Sequence, residues 1–520
     1  MSRLLSTDRA IHGTVVDDIR GHAVRAPRAP ALVTPETVLT YRDLAGRIEH
    51  LARTLAAAGV GAESRCAVAA EQGADAVVAM AAVMRAGGAF LTLDPGQPIA
   101  RLHAMVRGVD ARFQITTAAL AERLALPVDG PTILIDRLDD RSDDGAEHAL
   151  PDHVAPRSLA YISHTSGSTG TPNPVLIEYG GLRSYLRFVV ATGGLGPHTA
   201  VLQLAPFGYD GSIRDVFAPL AAGGRLILLP RSTLLRPAAL ADAVRDFGAN
   251  AILSSTPTFL TALAEHEGVA ERLGDLDLIL CSGESLRPFL AAGGRRLAAG
   301  RLVNHYGPTE CTITSTCHEV PAAPDTEADL IGTPIDGVTV RLLDQSLRAV
   351  PDGAVGEILI GGAGVARGYS GRPALTALRF VPDPYGPPGA RLYRTGDLAR
   401  RRPDGVLEFL GRTDRQVKIR GYRVEPAEVE GALLGHPAVT GAVVTSATDE
   451  RGRVHLVAHV VGVPAAVTDP MLRAHLAGTL PPHLMPRRFH RVDGIPTTHS
   501  GKADRTALAA RVPVRGGPVA

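Results

Sequence analysis

Residues 164–175 read HTSGSTGTPNPV, with the hydroxyls of Thr165, Ser166, Ser168, Thr169 and Thr171 spaced around Gly167 and Gly170. Glycine lets the backbone come close to a ligand and adopt positive φ, and successive amides in such a turn form an anion-binding nest. The stretch suits phosphate, yet it contains no Lys or Arg, and no GK[ST] closes it as in a Walker loop. The cradle therefore poses a question of charge. Only Lys418 and Lys502 are lysines among the 54 basic residues. A lysine kept in a chain that otherwise uses arginine points to chemistry that suits a compact point charge rather than a planar fork.

The 520 residues suffice for a large core and more than one domain. A hydrophobic share of 45%, a charged share of 21% and a net charge of +1 are ordinary for a globular protein and give no sign of a nucleic-acid or membrane-surface partner. The first residues show no apolar signal core, and no apolar run reaches the ~20 residues needed to span a bilayer, so a cytoplasmic location is expected. Cys66, Cys281, Cys311 and Cys317 form no CxxC pair and read as buried free thiols rather than a zinc site.

The motifs need elements to hold them. Residues 44–59 and 74–88 have helical periodicity and glycine ends, and 65–71 reads as a buried strand between them. Strands at 225–230, 251–257 and 277–284, with a helix at 241–248, repeat the alternation. That pattern predicts layered α/β structure with parallel sheets. Residues 330–410 turn to short strands bounded by turns, a small β-rich subdomain. Beyond GRTDRQ (411–416) a compact α+β domain follows. The expected division is 1–412 for the large part and 413–520 for the small one.

Further motifs stand in order: LTYRDL (39–44), MRAGGAFLTLDP (84–95), YDGS (209–212), NHYGPTE (304–310), GEILIGGAGVARGY (356–369), YRTGDL (393–398), GRTDRQVKIRGYRVEPAEVE (411–430), LPPHLMP (480–486) and SGKADR (500–505). With the hydroxyl-rich loop they resemble the adenylate-forming superfamily of acyl-CoA synthetases, luciferases and adenylation domains, and most closely the amino-acid adenylation domains of nonribosomal peptide synthetases. The likeness covers nearly the whole chain. It implies a large layered α/β N-terminal part followed by a small mobile α+β lid. It also implies attack of a carboxylate on the α-phosphate of ATP, giving an acyl-AMP and pyrophosphate, with ATP and Mg²⁺ required. Phosphoryl transfer of this kind is mostly positioning and charge neutralisation.

The resemblance assigns roles residue by residue. Thr165 to Thr171 would cradle phosphate. Tyr306, beside Gly307, would face adenine and Asn304 its edge. Glu310 would bind Mg²⁺, a cation that takes few protein carboxylates, and Thr309 would donate to phosphate or carboxylate. Asp397 would accept from the ribose hydroxyls, with Arg412 nearby. Asp414 would be the hinge and Lys502 the catalytic cation. Lys418 would face the site during thiol transfer, where Gly421 leaves room for a pantetheine arm. Asp210 would pair with the substrate ammonium. Gly211, Arg214, Ser254, Leu280, Ser282, His305, Ile313 and Thr314 would line a polar side-chain pocket with two potentially cationic groups. Arg214 suggests a polar or acidic substrate side chain. PAEVE (426–430) reads as ordinary helix surface.

The family's loop ends TG-x-PKG, whereas this one ends TGTPNP, with Asn173 and Pro174 at the Lys and Gly positions. His164 replaces a usual aromatic, and Tyr179 stands where a histidine is common. Three accounts stay open: the amides and hydroxyls suffice with Mg²⁺, an arginine that the sequence does not identify reaches in, or the chain is a nucleotide-binding regulatory relative with impaired catalysis. An acyl- or aryl-acid ligase is a further alternative, against which Asp210 speaks. No carrier serine motif follows SGKADR, so a free-standing enzyme is expected, loading the phosphopantetheine arm of a separate carrier protein. An activator of the MbtH type is a partner that the resemblance allows.

Overall fold

The computed structural model describes residues 13–138, 149–167, 172–274, 276–449, 453–498 and 503–510. The alternation read from the sequence becomes two large sheets. The first runs in the order Gly368–Tyr369, Asn173–Glu178, Leu159–Thr165, Ala89–Leu93, Arg65–Ala69, Phe113–Thr116 and Thr132–Leu134. Its strands from Leu159–Thr165 onward pair in parallel. The helices Tyr41–Ala57 and Ala74–Arg85 are the two expected from periodicity. Ala74–Arg85 is buried along nearly its whole length, which explains a sequence apolar on every side. Thr40 and Asp43 start Tyr41–Ala57 as a reciprocal capping box.

The second sheet has a parallel part and an antiparallel part. Ala251–Ser255, Leu278–Ser282 and Arg301–Tyr306 lie side by side in parallel. From Arg301–Tyr306 the sheet continues antiparallel through Thr316–Glu319 and Leu330–Pro334. It then takes in Leu407–Arg412, Arg391–Arg401, Val355–Gly362 and Val338–Leu343. The β-rich stretch thus extends the second sheet. It also carries a helix, Pro373–Arg379, that faint periodicity had hidden. Gly332 is needed where this continuation begins. Its φ is +81°, and a Cβ there would lie 1.9 Å from the Cys317 carbonyl oxygen.

The chain divides into two compact units: 1–95, 106–163 and 174–411 form one, and 96–105, 164–173 and 412–520 the other. The second unit is built on a three-stranded sheet, Gly441–Thr448, Val454–Val461 and Arg488–Arg491. Helices Pro426–Leu434 and Asp469–Ala477 bury Val429, Leu433, Leu472 and Leu476 in its core with Val444 and Leu456. The segments 96–105 and 164–173 cluster here because Arg101, Ser166 and Gly167 bond to the helix Pro426–Leu434 and the hairpin before it. Among the described residues, no helix is long and apolar enough to cross a membrane. Gly332→Ala should cost roughly 1–3 kcal/mol through clash and left-handed strain. Thermal unfolding reads this, and an unchanged melting temperature would contradict the close approach.

Candidate functional site

Parallel strands present their carboxyl ends to ligands, and three adjacent strand ends supply the predicted pocket. Ser254 lies in Ala251–Ser255, Ser282 ends its strand, and His305 and Tyr306 end theirs, with Ser282 in register with His305. The helix Gly211–Ala222 starts from Asp210 and brings Arg214 against them. Arg214 is 0% exposed. Its Nη2 donates to Ser254 Oγ at 2.9 Å, and its Nη1 donates to the Tyr185 hydroxyl at 3.2 Å and pairs with His305 Nδ1 at 3.2 Å. Ser254 Oγ in turn donates to the Gly211 carbonyl at 2.9 Å. Thr314 completes the group, its hydroxyl 3.2 Å from that of Tyr185.

This network revises one expectation. The pocket holds one cation, because burial and the Arg214 charge push His305 well below the ordinary histidine range. A neutral ring leaves Nδ1 free to accept from the guanidinium. Tyr185 was not singled out from the sequence. It lies on the apolar helix Tyr179–Gly193, whose periodicity reads as packing. Leu280 and Ile313 are buried as apolar wall. Thr312 and Ile313 hold φ of +58° and +73°, an arrangement that branched side chains rarely adopt. The Thr312 hydroxyl donates to the Gly364 carbonyl at 2.7 Å, and the Ser315 amide donates to the Tyr306 carbonyl at 2.7 Å, which pins the turn. Gly307 lets that turn close: a Cβ there would lie 2.7 Å from the Ile313 carbonyl oxygen.

The carboxylates beside the pocket are all buried. Asp210 is 7% exposed. Burial raises its pKa, Thr309 and Arg214 oppose the rise, and Glu310 adds to it. Two buried carboxylates that repel each other call for a cation. Glu310 is 0% exposed and accepts from the Tyr369 hydroxyl at 2.7 Å. Among the described residues, no group of three or more His, Cys, Asp or Glu side chains could hold a metal. A lone hard carboxylate suits Mg²⁺, which takes its other ligands from phosphate oxygens and water. The Tyr306 hydroxyl donates to Asp397 at 2.5 Å, so the predicted adenine and ribose residues touch. The ring of Phe409 lies 6.3 Å from that of Tyr306. Asn304 spends its amide N–H on the Leu330 carbonyl at 2.8 Å.

In the second unit, Arg412 grips Asp414 with both arms of its fork, at 2.7 and 2.9 Å. Lys418 lies in a hairpin of Val417–Ile419 and Tyr422–Val424. Its two-residue turn has positive φ at Arg420 and Gly421, +51° and +81°, so the turn itself favours glycine at 421. PAEVE is not plain helix surface, since Glu428 is 0% exposed. Burial pushes His164 down to about 3, so its ring is neutral. Tyr179 donates to the Met84 and Gly88 carbonyls, a packing role. Ser168, Thr169, Gly170, Thr171 and Lys502 lie outside the described residues. Cys66, Cys281 and Cys311 are buried free thiols and Cys317 is half-buried.

The model of the AMP-binding enzymes matches residues 19–370, and that of the AMP-binding enzyme C-terminal domain matches 428–502. Phosphinothricin tripeptide synthetase PhsC of Streptomyces viridochromogenes is 40% identical over 96% of this chain and 45% of its own length. A dimodular nonribosomal peptide synthase of Bacillus subtilis is 37% identical over 95% of this chain and 21% of its own length. The chain thus spans less than half the length of these curated relatives. The solved structure of holo-PA1221, an NRPS protein containing adenylation and PCP domains bound to a vinylsulfonamide inhibitor, has a TM-score of 0.82 at 28% identity, covering 96% of this chain and 84% of that one. Tyr185→Phe should cost about 1–3 kcal/mol of stability, because it takes an acceptor from a buried guanidinium. Chemical denaturation checks this, and an unchanged midpoint would mean that Arg214 does not need the hydroxyl.

Proposed function

The chain belongs to the AMP-binding enzyme family, as an adenylate-forming ligase of the nonribosomal-peptide adenylation type, and from that premise we propose that it activates an amino acid with a polar or acidic side chain. The observation that carries this reading is Asp210, a buried carboxylate at the start of the helix that also carries Arg214. A buried carboxylate beside Glu310 gains from a cation, and a substrate ammonium supplies one. Acyl and aryl acids bring no such charge. Four residues along the same helix, Arg214 donates to Ser254 and Tyr185 and pairs with the neutral ring of His305. A side-chain carboxylate or other polar acceptor is the natural complement of that guanidinium.

In the first step, a substrate carboxylate oxygen attacks the α-phosphorus of ATP. The new acyl O–P bond forms as the bond to the β-phosphate oxygen breaks, and pyrophosphate leaves with the electron pair. Asp397 and Tyr306 hold ribose and adenine, Asp210 holds the ammonium, and Thr309 and the 165–171 loop orient oxygens. Bound Mg²⁺ at Glu310 would neutralise charge on the phosphate oxygens. Lys502 stabilises the charge developing between the carboxylate and the α-phosphate. In the second step a carrier's phosphopantetheine thiol attacks the acyl carbon and AMP leaves. In this reading Asp414 is the hinge, Lys502 serves the first step, and Lys418 with Gly421 serves the second. The carrier, an MbtH-type activator and a cytoplasmic setting belong to this proposal.

Pyrophosphate release with Mg-ATP, run across amino acids and simple carboxylic acids with hydroxylamine as trap, tests it. Signal should appear with amino acids and be strongest with acidic or polar ones. Lys502→Ala should lower the rate by about 10²–10³-fold, and Arg214→Ala should remove the preference. Apolar amino acids as the best substrates would overturn the side-chain assignment. Silence across the panel from protein that binds ATP would favour a regulatory nucleotide-binding role.

A further inference from the structure

The loop's missing charge has a candidate in the second unit. Glu428, on the helix Pro426–Leu434, has one carboxylate oxygen accepting from the Gly167 amide at 3.2 Å and the other accepting from Arg101 Nη1 at 2.6 Å. Arg101 is 10% exposed and Glu428 0%. The neighbouring Ser166 hydroxyl donates to the Arg423 carbonyl at 2.8 Å. Asn173, at the lysine position, turns its amide back to the Ser166 carbonyl at 3.3 Å and brings no charge. Burial first and the Arg101 charge second push the His164 and His483 rings down to about 3, so both are neutral. The cation that shares the Glu428 carboxylate with the Gly167 amide is Arg101.

An anion bridged between a loop amide and a guanidinium is the arrangement that a phosphate group reproduces with two of its oxygens. We propose that Arg101 is the loop's replacement cation: with the Gly167 amide it forms an anion site that Glu428 fills in this structure, and that the pyrophosphoryl oxygens of ATP or of free pyrophosphate take when the carboxylate leaves. Glu428 is then an internal competitor for nucleotide. This deepens the adenylating reading and rests on it. It explains how Lys→Asn at 173 is tolerated: the charge is supplied from segment 96–105 rather than from the loop itself.

Calorimetric titration of Mg-ATP, inorganic pyrophosphate and AMP into the whole protein tests the site. Three forms are compared: the natural chain, Glu428→Gln, and the double variant Arg101→Met with Glu428→Gln. The double variant leaves neither charge buried without its partner. Glu428→Gln should tighten ATP and pyrophosphate by about threefold or more, since a neutral amide competes less well. The double variant should bind both about tenfold or more weakly than Glu428→Gln does, the scale of one charge-assisted hydrogen bond. AMP, which has no pyrophosphoryl group, should bind all three forms alike. Equal ATP and pyrophosphate affinity in the two variants would overturn the proposal, as would a parallel loss for AMP. No amino acid enters these titrations, so a failed substrate assignment would not alter their outcome.

Discussion

A carboxylate taken out of water must be met by a donor or a cation, and each of the two units is organised around that requirement in its own interior. Asp210, Glu310, Asp397 and Glu428 are all buried. Each has a particular answer: Thr309 and the Arg214 charge for Asp210, Tyr369 for Glu310, Tyr306 for Asp397, and Arg101 with Gly167 for Glu428. These answers come from elements far apart in sequence. Arg101 and Glu428 are separated by 327 residues, and Tyr306 and Asp397 by 91. The two-sheet architecture of the first unit and the clustering of the second exist in part to make such meetings possible.

The same requirement stiffens the pocket. Arg214 is a flexible side chain by nature, yet its donors are spread over Ser254, Tyr185 and His305, three side chains from separate elements. The strained Thr312–Ile313 turn closes one side under hydrogen bonds from Thr312 and Ser315. Strain of this kind persists only where the surroundings over-determine it.

Much of the architecture was legible because short-range signals were strong. Glycine ends and apolar periodicity marked Tyr41–Ala57 and Ala74–Arg85, and turn-bounded apolar runs marked the parallel strands. The motifs singled out Tyr306, Asp397, Glu310 and Asp210, all of which the structure buries. The rest was hidden for physical reasons. Tyr185 sits on a helix whose apolar pattern reads as core, so its hydroxyl carried no local signal. Glu428 lies in a helix start that looks like solvated surface, and its burial depends on 96–105 and 164–173 joining the C-terminal residues. His305 counted as a potential cation until its neighbour was known, since a pKa is set by surroundings that spacing does not reveal. Arg101 was one arginine among dozens.

Among the described residues, guanidinium groups join distant segments through ion pairs: Arg101 to Glu428, Arg183 to Asp18, Arg367 to Glu63 and Arg394 to Glu357. Guanidinium keeps its proton at any physiological pH, so these groups are poor nucleophiles. An acyl-adenylate is an acylating agent toward primary amines. A protein that makes such a mixed anhydride and carries just two lysine amines offers its own product very few places to react. A scaffold held together with arginine is thus a poor target for the mixed anhydride formed within the protein, and Lys418 and Lys502 are its two lysine side-chain amines.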